Sequence, residues 1–276
     1  MDVQGHEHTP APPRQRLFWW KEALLIIGFY LIYGWVRNQF GSAAVSPETA
    51  YDNAETIIDI QGWFGLNIEE SVQGWFLDWG WFLRIWNIFY GTGHFLITGF
   101  ALVWLYRRHP DDYPFWRTAG LTTTGLALIG FAVFPLMPPR LFGDCGTFGA
   151  CVPSEFVDTV AVHGGWWTFT SGTMEEISNQ YAAMPSLHFA WAYWSFLILA
   201  PRLQNKAAVW FMWAYPWLTV FAIVVTANHF WIDAVGGGLV LVLGWLYARW
   251  WHERGGREML RFGRSVDSEL TADSPT

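Results

Sequence analysis

Two side chains in the C-terminal third of the chain have the types and spacing of a catalytic pair. His229 and Asp233 are four residues apart, so on a helix they share one face and the carboxylate accepts the Nδ1–H of the imidazole. This contact leaves Nε2 free and more basic, and it forms the orienting half of a nucleophilic triad. Both residues lie in an apolar stretch, where ionisable groups are costly to bury and are therefore functional candidates.

The composition indicates what kind of structure must position this pair. Of the 276 residues, 53% are hydrophobic and 14% are charged, whereas soluble domains carry about 25% charged residues. Aromatic residues make up 19%, with 21 Trp, a residue that is enriched where proteins meet lipid headgroups. We therefore expect an all-α, polytopic membrane helical bundle. The net charge of −7 excludes a generally basic nucleic-acid binder, so no nucleic-acid partner is expected.

Six apolar segments are candidates for membrane spans, each of which needs roughly 20 mostly apolar residues. They cover about residues 23–36, 79–106, 118–137, 185–201, 207–227 and 229–250. We predict one membrane domain, residues 18–252, between a polar N-terminal tail, residues 1–17, and a polar C-terminal tail, residues 253–276.

The basic residues predict how the domain is oriented, because cytoplasmic loops are enriched in Lys and Arg. With the N-terminus inside, 13 of the 16 Lys and Arg residues fall in inside segments. Arg37 and Arg140 fall outside, and Arg84 falls within a span. This distribution predicts an even number of spans in the cell membrane, with both termini in the cytoplasm.

Two long outer loops, residues 37–78 and 138–184, follow from this orientation. In the first loop, Ser46 is a candidate helix N-cap, followed by Pro47 at the first helical position. A second amphipathic stretch begins at Glu69. We expect two short interfacial helices on the outer membrane surface. The alternative is that they cap the helical bundle.

The second outer loop contains both cysteines of the chain, Cys145 and Cys151. Six residues apart in a segment placed outside the membrane, they can close a small loop as a disulfide in an oxidising compartment. The alternatives are two free thiols, or a metal site, which is disfavoured because no histidine lies nearby. We predict the disulfide.

The predicted topology brings several ionisable residues to the outer membrane face. The third span ends just before Arg140, and the fourth begins near His188. The fifth span leads out to His229, and Asp233 lies one turn into the sixth. None of these positions enters the choice of the spans, so their convergence is an independent indication of a site.

The sequence around these positions carries a family resemblance. The segments PSLH at residues 185–188 and HFWID at residues 229–233 resemble the second and third motifs of the type 2 phosphatidic acid phosphatase superfamily, P-S-[GL]-H and H-x-x-x-D. The Leu variant, preceded by Met184, and the PPR stretch at residues 138–140 more closely resemble its inositol phosphorylceramide synthase-like branch of phosphotransferases. The similarity covers about residues 80–250.

The resemblance implies catalytic roles for three residues. His229 would be the nucleophile on phosphorus, Asp233 its orienting carboxylate, and His188 the acid that protonates the leaving oxygen. The first half reaction would leave a phosphohistidine, which water or an alcohol then resolves. Guanidinium, amide and imidazolium groups can take up the charge of the transition state, so neither a metal nor a cofactor is expected.

The resemblance also implies a phosphate-binding set. Arg140 would bind the phosphate, joined by backbone N–H groups around Ser186 and Leu187 at the start of the fourth span. Asn228 either bonds the phosphate or caps the sixth helix. Arg84 either supplies a further cation or is a structural or snorkelling side chain.

Three positions depart from the superfamily pattern. The Lys that usually lies seven residues before the motif Arg is replaced by Val133. The Ser-Arg pair that usually lies seven and six residues before the nucleophile is replaced by Ala222 and Ile223. Two phosphate-binding cations are therefore missing, which fits the synthase-like branch better than a broad phosphatase.

We expect an integral membrane lipid phosphotransferase or phosphatase whose site opens to the extracytoplasmic side. Its partners would be the bilayer, a lipid phosphate or phosphodiester, and a polyol acceptor such as inositol. One alternative is a lipid-phosphate hydrolase that uses water.

Two alternatives come from other classes of protein. A metal enzyme could use His188, His229 and Asp233 as a set of two histidines and one carboxylate, but such a site does not need Arg140. A transport or anion-binding protein could use the same ionisable groups without catalysis. The sequence shows no inverted repeat with interrupted helices in matching halves, which disfavours a transporter.

Overall fold

The computed structural model describes residues 17–39, 44–165 and 179–272, so residues 1–16 of the predicted N-terminal tail lie outside the described residues. These ranges contain nine α-helices, a short 3-10 helix at Pro139–Leu141 and no strand, which confirms the all-α prediction. The α-helices are α1 (Trp19–Gln39), α2 (Pro47–Trp63), α3 (Glu69–Gly74), α4 (Gly80–Arg108), α5 (Tyr113–Val133), α6 (Thr159–His163), α7 (Leu187–Leu199), α8 (Lys206–Val225) and α9 (Trp231–Ala272).

Each of the six predicted spans coincides with a helix, namely α1, α4, α5, α7, α8 and α9. Among the described residues, α4, α8 and the Trp231–Arg254 part of α9 are long and apolar enough to cross a bilayer. The apolar helix α7 is shorter, with 13 residues. The chain is thus a helical membrane protein, and the count of six spans stays a prediction.

α9 extends beyond the predicted end of the sixth span at residue 250 and runs to Ala272. The segment predicted as a polar tail from residue 253 is therefore helical up to Ala272. This stretch includes several Arg, Glu and Leu residues, all of which are strong helix formers. An Arg249–Glu253 ion pair at 2.9 Å, four residues apart, supports the helix where it leaves the apolar segment.

α9 packs closely against α5 and α7, and glycines make the approach possible. A Cβ atom at Gly237 would lie 2.3 Å from the carbonyl oxygen of Ser186, and one at Gly244 would lie 2.8 Å from that of Ala119. Because any larger side chain would collide with backbone, Gly237 allows the start of α7 to lie beside the first turns of α9, and Gly244 allows α5 to approach α9.

α2 caps the end of the bundle at which α5 ends. The Ser46 hydroxyl accepts the Thr49 N–H at 3.2 Å and Pro47 opens the helix, as predicted. The inner face of α2 is buried against the loop that follows α5, where the Met137 N–H donates to the Ala50 carbonyl at 3.1 Å. This packing favours the capping alternative over a helix that lies freely on the membrane surface.

α3 is tied to the start of α9 by a buried carboxylate. Glu69 is 3% exposed, and its Oε1 accepts the Trp231 N–H at 3.0 Å and the Gln61 side-chain amide at 2.6 Å. The carboxylate therefore binds the positive end of α9 and joins α2, α3 and α9.

The predicted disulfide between Cys145 and Cys151 is present. The segment it closes pairs with the 3-10 helix, because the Ala150 N–H donates to the Leu141 carbonyl at 3.1 Å and the Val152 N–H to the Phe142 carbonyl at 2.9 Å. The disulfide thus braces the backbone immediately after Arg140.

Candidate active site

His229 and Asp233 are in contact, although only one of them is helical. His229 lies in the turn between α8 and α9, two residues before α9 begins, which corrects the prediction that both are on a helix. The His229 Nδ1 and the Asp233 Oδ2 are 3.1 Å apart, with both side chains buried. The same Oδ2 accepts the Phe230 N–H at 3.1 Å. A carboxylate partner on Nδ1 makes Nε2 the ring nitrogen available for attack.

A strained turn places His229. Ala227 has a φ of +52°, a left-handed conformation that costs a non-glycine residue about 1–2 kcal/mol. Its buried carbonyl accepts the backbone N–H of Arg140 at 2.9 Å, and the His229 N–H donates to the Ile223 carbonyl at 3.1 Å. The two segments that carry Arg140 and His229 are therefore joined through the backbone.

His188 lies in the first turn of α7 and faces the same cavity as His229. The ring centres of the two histidines are 5.4 Å apart. The His188 ring stacks on Tyr90, with ring centres 4.2 Å apart, and contacts His94, also with ring centres 4.2 Å apart. α4 therefore supplies an aromatic wall that fixes the orientation of His188.

The sequence did not identify Tyr90 and His94 as site residues. His94 lies beside His188, and its Nδ1 is 2.9 Å from the Tyr90 carbonyl oxygen. An ionisable side chain in an apolar span is the signal that could have found it. For Tyr90, an aromatic residue in an aromatic-rich helix, the sequence holds no such signal.

Arg140 lines the cavity and is held by three acceptors. Its Nε donates to the Asn228 Oδ1 at 3.0 Å, one terminal nitrogen to the Asp158 Oδ2 at 2.9 Å and the other to the Gln180 Oε1 at 2.6 Å. A guanidinium has five N–H groups, so these bonds fix its plane and leave one N–H on each terminal nitrogen. Asp158 and Gln180 were not identified from the sequence.

The sequence suggested that Asn228 bonds the phosphate or caps the sixth helix, but the structure shows different contacts. Its oxygen accepts from Arg140, and its amide nitrogen donates to the Thr226 carbonyl at 3.2 Å and to the Thr226 hydroxyl at 2.9 Å. Asn228 therefore positions Arg140 in this structure.

The structure changes the expectations for Ser186 and Arg84. The Ser186 N–H donates to the Asp233 carbonyl at 2.9 Å, so this amide is committed to the protein, whereas Leu187 does line the cavity. Arg84 is exposed and is not among the described residues that line the cavity. Leu83, Asn87 and His94 define the buried face of α4, and Arg84 is turned about 100° away from Leu83.

The cavity that these residues surround has a volume of about 490 Å³. It adjoins a second, mostly apolar cavity of about 200 Å³ between α1, α4, α5 and α7. Tyr30, Phe95 and Trp191 line both. A polar head and an apolar chain of one molecule could therefore be held side by side.

The described residues contain no group of three His, Cys, Asp or Glu side chains placed to hold a metal ion. The carboxylate of Asp233 contacts the Nδ1 of His229, and Asp233 is not among the described residues that line the cavity. The metal-binding set considered from the sequence is thus not assembled here.

The comparisons with known proteins give one family. A family model described as the PAP2 superfamily matches residues 55–247, from within α2 to within α9. Neither the curated proteins nor the solved structures gave a significant match. The matched range contains the site residues described above. It does not include Tyr30, Tyr33 and Arg37, the α1 residues that line the cavity.

Proposed function

The chain belongs to the PAP2 superfamily, and from this premise we propose that it is a membrane lipid phosphotransferase of the inositol phosphorylceramide synthase-like branch. Membership of the superfamily supports a lipid phosphatase or phosphotransferase kind of function. The observation that carries the proposal is the buried contact of 3.1 Å between His229 and Asp233 at a cavity lined by His188 and Arg140.

In the first half reaction the Nε2 of His229 attacks phosphorus, and the bond between phosphorus and the leaving oxygen breaks. His188 donates its proton to that oxygen, and Asp233 stabilises the positive charge on the His229 ring. The product is a phosphohistidine with the alcohol released. Arg140 takes up the charge that develops on the phosphoryl oxygens.

In the second half reaction an acceptor hydroxyl gives its proton to His188 and attacks phosphorus. The bond between phosphorus and Nε2 breaks, and His229 returns to its starting state. A polyol such as inositol as acceptor makes a new phosphodiester or phosphomonoester, whereas water makes the hydrolysis product. No step in this scheme needs a metal or a cofactor.

A lipid substrate is supported by the two adjoining cavities. The polar cavity contains the reacting groups, and the apolar cavity offers Phe95, Trp191 and their neighbours to an acyl chain. We also propose that the cavity opens to the extracytoplasmic side and that both termini are cytoplasmic, in keeping with the basic residues.

The experiment is a single-turnover assay of the purified full-length protein in detergent with EDTA and ³²P-labelled phospholipids, with and without myo-inositol. Formation of a new phosphate ester that requires the alcohol is the expected result. Release of free phosphate or phosphoalcohol by water alone would mean a hydrolase. No reaction without added metal would contradict the proposed mechanism.

A further inference from the structure

We propose that Arg37, near the end of α1, is a second phosphate-binding cation of the active-site cavity. It would replace a cation that the superfamily pattern provides at other positions. The inference rests on the proposed function for the kind of ligand, a phosphate ester, and it assigns a residue outside the range 55–247 that the family model matches.

The positions that usually hold the missing cations are unable to serve this cavity. Val133 is 77% exposed at the end of α5, and Ile223 is fully buried. Neither is among the residues that line the cavity. A replacement must therefore come from another element, and the exposed position of Arg84 excludes that side chain.

The charge of Arg140 is already matched within the protein. Its ion pair with Asp158, at 2.9 Å, fixes the guanidinium but also neutralises it. A phosphate ester that met this pair alone would find good hydrogen-bond geometry and little net attraction. A phosphoryl transition state carries more than one negative charge, so a second cation would lower its energy.

Arg37 lies on the α1 face that lines the cavity. Tyr30, Tyr33 and Arg37 are spaced three and four residues apart, so they share one side of the helix, and all three line the cavity. The Asn179 side-chain amide donates to the Arg37 carbonyl at 3.4 Å. The next residue, Gln180, binds Arg140, so one short segment connects the two arginines.

The surroundings of Arg37 suit a bound anion. Its Nε is buried and has no hydrogen-bond partner among the described residues. An unsatisfied buried donor is costly, and a phosphate oxygen would satisfy it. The described residues that line the cavity include two arginines and no carboxylate. The C-terminal end of α1 and the Tyr33 ring, 5.8 Å from the guanidinium carbon, stabilise the guanidinium of Arg37 itself.

The test measures binding of orthovanadate, a phosphate analogue, to the full-length protein in detergent by isothermal titration calorimetry. We expect Arg37→Ala to weaken vanadate binding about ten- to a hundredfold, the loss typical of a charged hydrogen-bond donor. Arg37→Lys should recover part of this loss, because Lys restores the charge without the planar pair of donors. Arg84→Ala is the matched control and should bind vanadate as the wild type does.

Thermal unfolding of each variant shows whether the fold is retained, and Arg37→Lys keeps the test valid if Arg37→Ala is unstable. Wild-type affinity in both Arg37 variants, or no vanadate binding by the wild-type protein, would overturn the inference. Lipid turnover is measured separately. A wild-type protein that binds vanadate through Arg37 but turns over no lipid would overturn the proposed function and leave the anion site in place.

Discussion

The proposed role of Asp233 depends on the negative charge of its carboxylate. Its Oδ2 contacts both the His229 ring and the Phe230 N–H, and it is completely buried. Asparagine has the same size, but it cannot stabilise an imidazolium and it can hold the ring in the wrong tautomer. We predict that Asp233→Asn lowers the rate of a single turnover by on the order of 10³–10⁴-fold. A rate within tenfold of the wild type, with the fold intact, would contradict this role.

The proposed role of His188 as an acid becomes unnecessary when the leaving group of the substrate is weakly basic. An acid is needed only when the departing oxygen is strongly basic, as in a lipid alcohol. We predict that His188→Ala loses about 10²–10⁴-fold of its activity on a lipid phosphate but much less on a lipid analogue with a p-nitrophenol leaving group. Equal losses on both substrates, measured in the same detergent, would show that His188 does not act as the acid.

Sequence spacing identified the residues that belong to motifs and missed those that support them. His188, His229 and Asp233 follow a pattern within short segments, so the sequence contains enough information to find them. Tyr90 and Asp158 belong to the site only through tertiary contacts. Tyr90 is 98 residues before its partner His188, and Asp158 is 18 residues after its partner Arg140. Nothing local marks such residues.

The close contact between α7 and α9 determines the position of His188 relative to Asp233. Gly237 allows it, because a Cβ there would lie 2.3 Å from the Ser186 carbonyl oxygen, whereas a Cβ at Gly238 would meet only the Phe189 ring at 3.6 Å. We predict that Gly237→Ala lowers the free energy of unfolding by about 1–3 kcal/mol. Gly238→Ala is the matched control and should be neutral or slightly stabilising. Equal unfolding temperatures for the two variants in detergent would contradict the packing described.

Hydropathy located the helices better than their ends. The apolar segments predicted six helices that are all present, because an apolar run of this length must be helical in a bilayer. The start of α9 at Trp231 follows from the Ala227 turn and the Glu69 contact, neither of which hydropathy can detect. The placement of α2 over the active-site loop likewise depends on tertiary packing.

The orientation of the whole molecule decides which compartment the cavity faces. In intact cells, we predict that an exposed cysteine introduced as Glu155→Cys reacts with a membrane-impermeant maleimide. One introduced as Lys206→Cys should react only after permeabilisation. The two native cysteines form a disulfide and do not interfere. The reverse pattern would place the cavity on the cytoplasmic side, and reaction of both cysteines in intact cells would contradict the predicted topology.

Net charge also affects how the substrate arrives. The chain carries a net charge of −7, so its surface does not attract an anionic lipid over long distances. The two adjoining cavities offer an alternative, in which the acyl chain is held within the membrane domain while the headgroup reaches Arg140 and His229. This whole-molecule arrangement favours entry along the membrane plane over capture from solution.

The nucleophilic role of His229 is tested most directly by trapping the intermediate. The purified protein is mixed with a ³²P-labelled lipid phosphate, quenched in alkali within one turnover and digested, and the labelled peptide is sequenced. We predict an alkali-stable, acid-labile label at residue 229 and neither label nor turnover in a folded His229→Ala protein. Turnover by His229→Ala at the wild-type rate, or wild-type turnover with no label on His229 at any quench time, would contradict the proposed mechanism.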